Sequence, residues 1–245
     1  MYTHEYEKMY KLEDSYWWFV GRKYVIRNIL HLVYGSRKGL NILDAGCGTG
    51  SILLLLKEFG SVLGVDLSES ALSYCRKRGI EQLLRASADD LKTVPADKYD
   101  VVTALDIIEH IEDDSKALLE FNRVCKSGGY VLITVPAYNF LWSNHDIALS
   151  HRRRYNRKEL EEKVSKAGFK TVKTTYFITF LLPVIFIFRI FQKMFQKNKI
   201  PDTAYIMPPV FLNVIFIMIL RIEANLIRFL NLPAGVSLIC IAEKE

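Results

Sequence analysis

A run of alternating glycines follows a short apolar segment and opens an apolar helix. The stretch "NILDAGCGTGSILLLL" has glycines at positions 46, 48 and 50, which allow the backbone to turn tightly and to approach a ligand closely. Asp44 precedes the first glycine, and a carboxylate there repels a pyrophosphate but attracts a cationic amino-acid group. Asp66 ends the next apolar run, where it can accept hydrogen bonds from both hydroxyls of a ribose.

Three histidines lie in loops that follow the fourth and fifth predicted strands. His110 follows strand four, and His145 and His151 lie in "NHDIALSHRRRY" after strand five. Both loops leave the carboxyl ends of predicted parallel strands, the edge at which this architecture binds ligands. A reaction that removes a proton from its nucleophile needs a base, and His110, His151, or His145 beside Asp146 could supply it. A loop histidine without a catalytic role fits each position equally well.

An arginine run follows the third of these histidines. Arg152, Arg153 and Arg154 stand beside the predicted ligand edge, where guanidinium groups can bind a phosphate or carboxylate of a substrate. Alternatively, the three arginines are simply exposed to solvent in the segment that leads into the next helix.

The elements that must position these residues alternate between strands and helices. The predicted strands are LNILDAG (40–46), SVLGVD (61–66), QLLRA (82–86), YDVVTALD (99–106) and YVLITVP (130–136). Helical stretches separate them, which predicts a parallel sheet covered on both faces, in a doubly wound α/β domain. Farther on, Asn156 followed by Glu159 predicts a helix start and Gly168 its end. FKTVKTTYF and GVSLICIAEKE then predict a sixth and a final strand.

The glycine loop resembles the class I S-adenosylmethionine-dependent methyltransferases. The segment from Asp44 to Gly50 is similar to their first motif, Asp66 to their ribose acid, and "VVTALDIIEHIED" to the fourth-strand motif of a subgroup with a Glu-His pair. The resemblance implies a Rossmann-like seven-stranded methyltransferase sheet and S-adenosylmethionine (S-adenosyl-L-methionine) as cofactor. The residues that it assigns to this cofactor are Asp44, Gly46, Cys47, Gly48, Gly50, Asp66, Leu67, Ser87, Ala88 and Asp106. Many relatives carry an acidic residue at the position of Ser87, and Asp89 could substitute for it.

The histidine-arginine segment resembles a HD…HxRRY signature of bacterial and archaeal methyltransferases often associated with lipid or polysaccharide pathways. Those relatives also tend to carry YWWFxxR, present here from Tyr16 to Arg22. The aromatic residues either pack a helix on the sheet or form a lid over cofactor and substrate, with Arg22 near a carboxylate; we favour the lid. The residues expected at the acceptor are Trp18, Arg22, Asp146, Arg153, Arg154 and Tyr155.

Composition and charge limit the function classes. The 245 residues are half hydrophobic, enough for one large domain or one domain with an insertion. Residues 151–231 hold 15 Lys and Arg against 5 Asp and Glu, which favours an anionic partner such as a phosphorylated substrate or an acidic membrane surface. The positive charge of this segment would also suit nucleic acid. The sequence contains no base-reading motif, however, so no nucleic-acid partner is expected. The four cysteines are far apart, so we expect neither a metal site nor disulfides, and no signal peptide is visible.

About sixty residues separate the last two predicted strands and contain the most apolar segments of the chain. The first segment, 176–188, contains Pro183 and precedes Arg189, Lys193, Lys197 and Lys199; the second, 204–220, contains Pro208 and Pro209 and precedes Arg221. Spanning a bilayer takes about 20 apolar residues, so each segment is short for a crossing. A monotopic, partly inserted helical pair with basic flanks suits these lengths better.

The place of this insertion in the sheet links it to the predicted site. Because the sixth strand is predicted to run parallel to the first five, the insertion is expected to begin at the mouth of the ligand site. Glu223 is too costly to leave bare in lipid, so we expect it to meet Arg221, Arg228 or a substrate group. The alternative is that the apolar helices form a dimer interface or cover the protein's own core.

The sequence therefore predicts three parts: an N-terminal helical lid (1–39), a methyltransferase domain (40–176 with 236–245) and a hydrophobic membrane-associating helical insertion (177–235). The expected activity is methyl transfer from S-adenosylmethionine, at oxygen, to a lipid, lipid-linked or other hydrophobic acceptor at the cytoplasmic face of the cell membrane. One alternative is a cytoplasmic small-molecule or quinone methyltransferase whose apolar helices form a closed pocket or dimer interface. Another is a non-catalytic membrane adaptor that binds S-adenosylmethionine. No oligomeric state is predicted.

Overall fold

A twisted sheet with helices on both faces organises the computed structural model, which describes residues 3–195, 205 and 207–245. The strands are β1 (Leu40–Ala45), β2 (Gly60–Asp66), β3 (Leu83–Arg85), β4 (Tyr99–Leu105), β5 (Cys125–Pro136), β6 (Phe169–Phe177) and β7 (Ser237–Lys244). The helices are α1 (Thr3–Leu12), α2 (Trp17–Tyr34), α3 (Ser51–Leu56), α4 (Glu69–Lys77), α5 (Asp114–Val124), α6 (Asn144–Ala148), α7 (Arg157–Lys166), α8 (Leu182–Phe195) and α9 (Val210–Ile227).

The strand order is β3-β2-β1-β4-β5-β7-β6. The first five strands pair in parallel, whereas β7 is antiparallel to both β5 and β6, so β6 runs in the direction of the first five. This topology confirms the doubly wound, seven-stranded α/β fold. The predicted start of α7 is also confirmed, because the Asn156 side chain accepts the N–H of Glu159 at 2.9 Å.

The two faces of the sheet have separate cores. On one face, α2, α3 and α9 bury residues such as Ile26, Leu53 and Ala224. On the other face, α5 and α7 bury residues such as Phe121 and Leu160. Both faces of the central strands are therefore covered, which explains their nearly continuous apolar sequences.

Helix α9 packs closely along α2. A Cβ atom added to Gly21 of α2 would lie 2.2 Å from Leu220 Cδ1, so only glycine fits at this crossing. Asn28 donates a hydrogen bond to the Ala224 carbonyl at 2.8 Å. The inner face of α9 thus belongs to the main core. This agrees with the alternative that the apolar helices cover the protein's own core. The outer face of α9 is exposed, with Val210 at 82% and Phe211 at 65%.

Glu223 on this inner face has a different role from the expected one. The expectation that it meets an arginine is wrong, because its carboxylate accepts the backbone N–H groups of Ile178, Thr179 (2.8 Å) and Phe180 (3.1 Å). These amides leave β6 at a buried turn where they would otherwise lack acceptors. Burial raises the pKa of Glu223, although the three amide bonds oppose that shift.

Within the described ranges, α9 is the helix whose length and composition would allow it to cross a membrane, with 18 residues and a mean hydropathy of 2.0. We expected the second apolar segment to be too short to cross a membrane. Judged by length and composition only, that expectation is wrong. The packing of α9 on α2 and its buried Glu223 nevertheless attach it to the sheet domain. Lys197, Lys199 and Ala204 of the predicted insertion lie outside the described residues.

Candidate functional site

A cavity of about 600 Å³ opens at the carboxyl edge of the sheet, around the glycine loop. We call it the glycine-loop cavity. Gly46 has φ +76°, and a Cβ atom there would lie 2.6 Å from Ile107 Cγ1, so this position requires glycine. The Gly48 N–H donates to Asp66 Oδ2 at 2.9 Å, which holds the loop against the end of β2.

Most residues that the sequence assigned to a cofactor line this cavity. They are Asp44, Gly46, Cys47, Gly48, Asp66, Leu67, Ser87, Ala88 and Asp106, with Asp89 beside them. Gly50 does not line the cavity as the described residues define it. It precedes α3 at φ +86°, and a Cβ atom there would lie 2.9 Å from Cys75 Sγ and Ile80 Cδ1, so its role is to permit close packing beneath the loop.

Two of the carboxyl groups that line the cavity lie on β1 and β2. Asp44 is buried and accepts a hydrogen bond from the Thr103 hydroxyl at 2.6 Å. Burial raises the pKa of Asp44 to about 7, against the opposing effect of that bond. Asp66 accepts the amides of Gly48 and Ser68, and its remaining lone pairs are available to ligand hydroxyls.

The N-terminal segment covers the glycine-loop cavity. Tyr6 and Met9 of α1 and Glu13 just after it are lining residues that the sequence reasoning missed. Glu13 accepts a hydrogen bond from the Thr49 hydroxyl and pairs with Arg78 Nη2 at 3.0 Å. No local signal identifies Glu13, because these partners lie 36 and 65 residues away.

Arg22 of α2 joins this cover to the end of β4. Its guanidinium group pairs with the Asp106 carboxylate and lies 4.8 Å from the centre of the Trp18 ring. Asp106 has φ +56°, a left-handed conformation for a non-glycine residue. The Nε atom of Arg22 is buried and has no hydrogen-bond partner among the residues described, so one donor remains for a ligand.

A second cavity of about 180 Å³, the apolar cavity, adjoins the first. Its lining residues include Tyr16, Trp17, Ile178, Ile185, Phe188, Arg189, His145 and Arg154. It shares five lining residues with the glycine-loop cavity, namely Trp18, Asp106, Leu149, His151 and Tyr205. Ile178, just after β6, and residues of α8 form one of its walls, so the insertion begins beside this cavity, as the direction of the sixth strand predicted.

Arg189 was expected to flank a lipid-inserted helix, but it lies elsewhere. Its guanidinium group lines the apolar cavity and donates a hydrogen bond to the Leu141 carbonyl. Burial lowers the pKa of Arg189 to about 10, and nearby Arg154 adds to the shift. The apolar cavity therefore contains a cation, which the sequence did not assign to the site.

The three predicted catalytic histidines come together where the cavities meet. The ring centres of His110 and His151 are 4.8 Å apart, and those of His145 and His151 are 6.4 Å apart. Burial lowers the pKa of His110 to about 4, with a further contribution from His151. Burial also lowers the pKa of His145 to about 3, with Arg189 adding to it. Both rings are therefore neutral at neutral pH.

Asp146 organises the loop that carries two of these histidines. It is fully buried and accepts His151 Nδ1 at 2.9 Å and Arg154 Nε at 2.8 Å through one oxygen. The other oxygen accepts Arg154 Nη2 at 3.0 Å and the Ser143 amide at 2.8 Å. Burial opposes ionisation, but the bonds from His151 and Arg154 outweigh it and lower the pKa of Asp146. Asp146 thus positions His151 and does not itself line either cavity as the described residues define them.

The structure also corrects the acceptor roles given to the arginine run. Arg154 lines the apolar cavity, but its guanidinium group is occupied by Asp146 and by the Ala137 carbonyl at 2.8 Å. Arg153 pairs with Asp114 at 3.1 Å, and the buried Tyr155 hydroxyl donates to the same carboxylate at 2.7 Å. Arg153 and Tyr155 therefore anchor the loop to the start of α5 instead of lining a described cavity.

Glu109 lies behind the two histidines and is fully buried. Its Oε1 atom is 3.9 Å from His151 Nε2, too far for a hydrogen bond. Neither oxygen has a hydrogen-bond partner in the described part of the chain. Burial raises the pKa of Glu109 well above its usual range, and the nearby Asp106 carboxylate adds to the shift.

Comparisons with known proteins agree with this geometry. Residues 43–133 match the family model described as "Methyltransferase domain". A ubiquinone biosynthesis O-methyltransferase from Bordetella avium is 31% identical over 106 residues, which are 41% of this chain and 44% of that protein. A probable S-adenosylmethionine-dependent methyltransferase from Mycolicibacterium smegmatis is 28% identical over 166 residues, 66% of this chain and 63% of that protein. The chain thus spans less than two thirds of these relatives.

Solved structures show the same fold. A S-adenosylmethionine-dependent methyltransferase from Archaeoglobus fulgidus superposes with a TM-score of 0.60 at 22% identity, covering 91% of this chain and 93% of that one. A possible histamine N-methyltransferase from Thermotoga maritima gives a TM-score of 0.59 at 18% identity, covering 100% and 96%. The domain family and the fold imply S-adenosylmethionine as the cofactor.

Proposed function

We propose that this chain, which carries a class I S-adenosylmethionine-dependent methyltransferase domain that includes residues 43–133, methylates an oxygen atom of a hydrophobic acceptor at a membrane surface. One observation carries the proposal. The glycine-loop cavity and the apolar cavity share a wall, and α8 of the hydrophobic insertion forms part of the apolar one. An acceptor in the apolar cavity would therefore lie beside the cofactor.

The residues of the glycine-loop cavity fit S-adenosylmethionine, which when bound supplies an electrophilic methyl group on a sulfonium. Asp66 would accept the ribose hydroxyls with its free lone pairs. Asp44 would pair with the ammonium group, and the unpartnered Nε of Arg22 would donate to the carboxylate of the methionine portion. Holding both reactants in one orientation can lower a barrier by about 7–11 kcal/mol.

The apolar cavity fits an acceptor with a small ring or chain terminus and an anionic group. Trp17, Ile185 and Phe188 supply apolar walls, and Arg189 supplies a cation. A hydroxyl acceptor must lose a proton, and His110, His151 and Glu109 lie where the cavities meet with acceptor atoms that they do not use elsewhere. Relatives named for O-methylation in ubiquinone biosynthesis support a hydrophobic, hydroxyl-bearing acceptor.

The outer faces of α8 and α9 favour a membrane as the source of that acceptor. On α8, Ile185 lines the cavity, while Val184 and Ile187 are more than half exposed. On α9, Val210 and Phe211 are also exposed. Large exposed apolar side chains in this number are unusual on a freely soluble monomer, and an apolar helical face can lie in the headgroup region. The acceptor would then reach the cavity without crossing water.

Vesicle flotation with purified full-length protein tests the membrane contact. Phe211→Ser should weaken binding to vesicles that contain anionic lipid about 5–30-fold, because about 1–2 kcal/mol of apolar burial is lost. The matched control is Leu119→Ser, which removes a side chain that is 57% exposed on α5, at the opposite face of the sheet. Equal binding of the two variants would contradict the membrane contact.

Turnover is tested separately with labelled S-adenosylmethionine and a total lipid extract. Label in the organic phase is expected, and filling the apolar cavity with Ile185→Trp should abolish it while cofactor binding persists. A chain that binds the cofactor but labels no lipid would exclude a lipid acceptor.

A second candidate is a methyltransferase for a small quinol or phenol that needs no membrane. The small volume of the apolar cavity favours it, since about 180 Å³ suits a ring better than a polyprenyl chain. Equal turnover of a water-soluble phenol with and without vesicles would support this candidate.

A further inference from the structure

The environment of Glu109 is incomplete without a ligand. Its side chain is fully buried, and neither carboxylate oxygen has a hydrogen-bond partner among the described residues. Buried polar atoms are nearly always paired, and an unpaired buried carboxylate is strongly disfavoured. A cation bound by these oxygens would remove the discrepancy.

Two histidines beside Glu109 each have one ring nitrogen fixed by an acceptor. His151 Nδ1 lies 2.9 Å from the Asp146 carboxylate, and His110 Nδ1 lies 3.3 Å from the Ser150 carbonyl. Both partners can only accept, so each Nδ1 carries the proton and each Nε2 keeps its lone pair. An outer carboxylate or carbonyl that fixes the second nitrogen is the usual arrangement around a metal-binding histidine.

We propose that Glu109, His110 and His151 form a binding site for one divalent transition-metal ion. One ligand atom from each residue lies within 4.8 Å of the others, and His151 Nε2 is 3.9 Å from Glu109 Oε1. Tetrahedral ligands at about 2.0–2.2 Å from a common ion lie about 3.3–3.6 Å apart, so the widest separation must close by about 1.2–1.5 Å as the side chains move onto the ion. Two imidazoles and one carboxylate favour Zn²⁺, Fe²⁺, Co²⁺ or Mn²⁺ over Ca²⁺ and Mg²⁺.

The position of this site gives the ion a role that rests on the proposed function. His151 lines both cavities, Glu109 lines the apolar cavity and His110 lines the glycine-loop cavity, so the ion would lie at their junction. Three protein ligands leave coordination positions open. An acceptor hydroxyl bound there is held beside the methyl donor, and the ion lowers its pKa so that its proton passes to water. This site differs from the expectation of no metal, which rested on the cysteines and not on carboxylate and imidazole ligands.

The test is metal binding by the untagged full-length chain, without cofactor or acceptor. After dialysis against Zn²⁺ and removal of free ions, elemental analysis should find one ion per chain. Glu109→Gln, His110→Gln and His151→Gln should each weaken binding at least tenfold. His31→Gln is the matched control, since His31 lies on α2 and bonds only the Gly35 carbonyl in the described structure, and it should bind as the wild type does. His145→Gln, which changes a neighbouring histidine outside the ligand set, should also retain the ion.

Two results would overturn the site: a wild-type chain that retains no ion, or variants at Glu109, His110 and His151 that all retain it. If those variants do not fold, visible absorption of the Co²⁺-loaded wild type decides, because bound imidazoles change the cobalt spectrum and free aqueous Co²⁺ does not show that change. Methyl transfer is measured separately. Metal binding without any methyl transfer supports the site and contradicts the proposed function. Transfer that persists in a metal-free chain supports the proposed function and contradicts the role of the ion in it.

Discussion

Replacing Asp146 by asparagine removes the charge that holds the histidine-arginine loop in place. One carboxylate oxygen accepts His151 Nδ1 and Arg154 Nε, and the other accepts Arg154 Nη2 and the Ser143 amide. Whichever oxygen becomes an NH2 group, at least two donors then face a donor. The Arg154 guanidinium would stay buried with two neutral partners, the remaining amide oxygen at position 146 and the Ala137 carbonyl.

The expected loss of stability follows from that buried, uncompensated charge. Breaking a buried ion pair from one side costs about 3–5 kcal/mol, which in a chain of this length lowers the melting temperature by about 6–20 °C. The pH dependence has a definite sign. Because the folded-state pKa of Asp146 lies below its ordinary value of 3.8, its contribution is present above that pH and is lost as the pH falls further. The Asp146→Asn variant should lack this acid-dependent contribution.

Thermal and urea unfolding followed by circular dichroism measure the effect. The control is Asp90→Asn, which removes an exposed carboxylate 3.2 Å from Lys92 and should change stability by less than about 0.5 kcal/mol. In the folded variant, activity should also fall by about 10²–10⁴-fold, because His151 loses the group that fixes its tautomer. If the unfolding free energy of Asp146→Asn lies within about 1 kcal/mol of that of the control, the Asp146 carboxylate does not hold the loop.

Two further predictions concern the cofactor and the helix crossing. Because the pKa of Asp44 is about 7 in the free protein, the carboxylate loses its charge as the pH falls below 7, and S-adenosylmethionine affinity measured by calorimetry should weaken about tenfold per pH unit there. Asp44→Asn should remove this dependence, and a pH-independent wild type would contradict it. Gly21→Ala should destabilise the fold by about 1–3 kcal/mol, because its Cβ atom would meet Leu220. Adding Leu220→Ala should be less destabilising than the sum of the two single changes, and strict additivity would count against a direct contact.

Local sequence identified the features that depend on neighbouring residues. Alternation of short apolar strands with helices predicted the doubly wound sheet, and the glycine spacing predicted a loop that approaches a ligand. The helix start at Asn156 could also be predicted, because its hydrogen-bond partner is three residues away. The parallel direction of the sixth strand then placed the insertion at the ligand edge, which the sheet pairing and the cavity lining confirm.

Functional assignments that need distant partners were less successful. Arg153 and Tyr155 looked like acceptor-binding residues from their position in the loop, yet both contact Asp114, about forty residues earlier in the chain. Glu223 looked like a partner for arginine, yet it binds backbone amides 43 to 45 residues away. Side-chain type and local spacing do not specify such partners, because charged groups pair with whatever the folded chain brings near.

Sequence alone was sufficient to predict the sheet, the glycine loop, the acid at the end of β2 and the apolar character of the last third of the chain. These properties follow from periodicity and from residues close together along the chain. Three other facts emerge only from the packed fold: Arg189 enters the apolar cavity, Glu13 covers the glycine loop, and Glu109 has no hydrogen-bond partner for its carboxylate among the described residues. Each of those facts depends on which surfaces meet when separate segments pack, and on which polar atoms the packing leaves without partners.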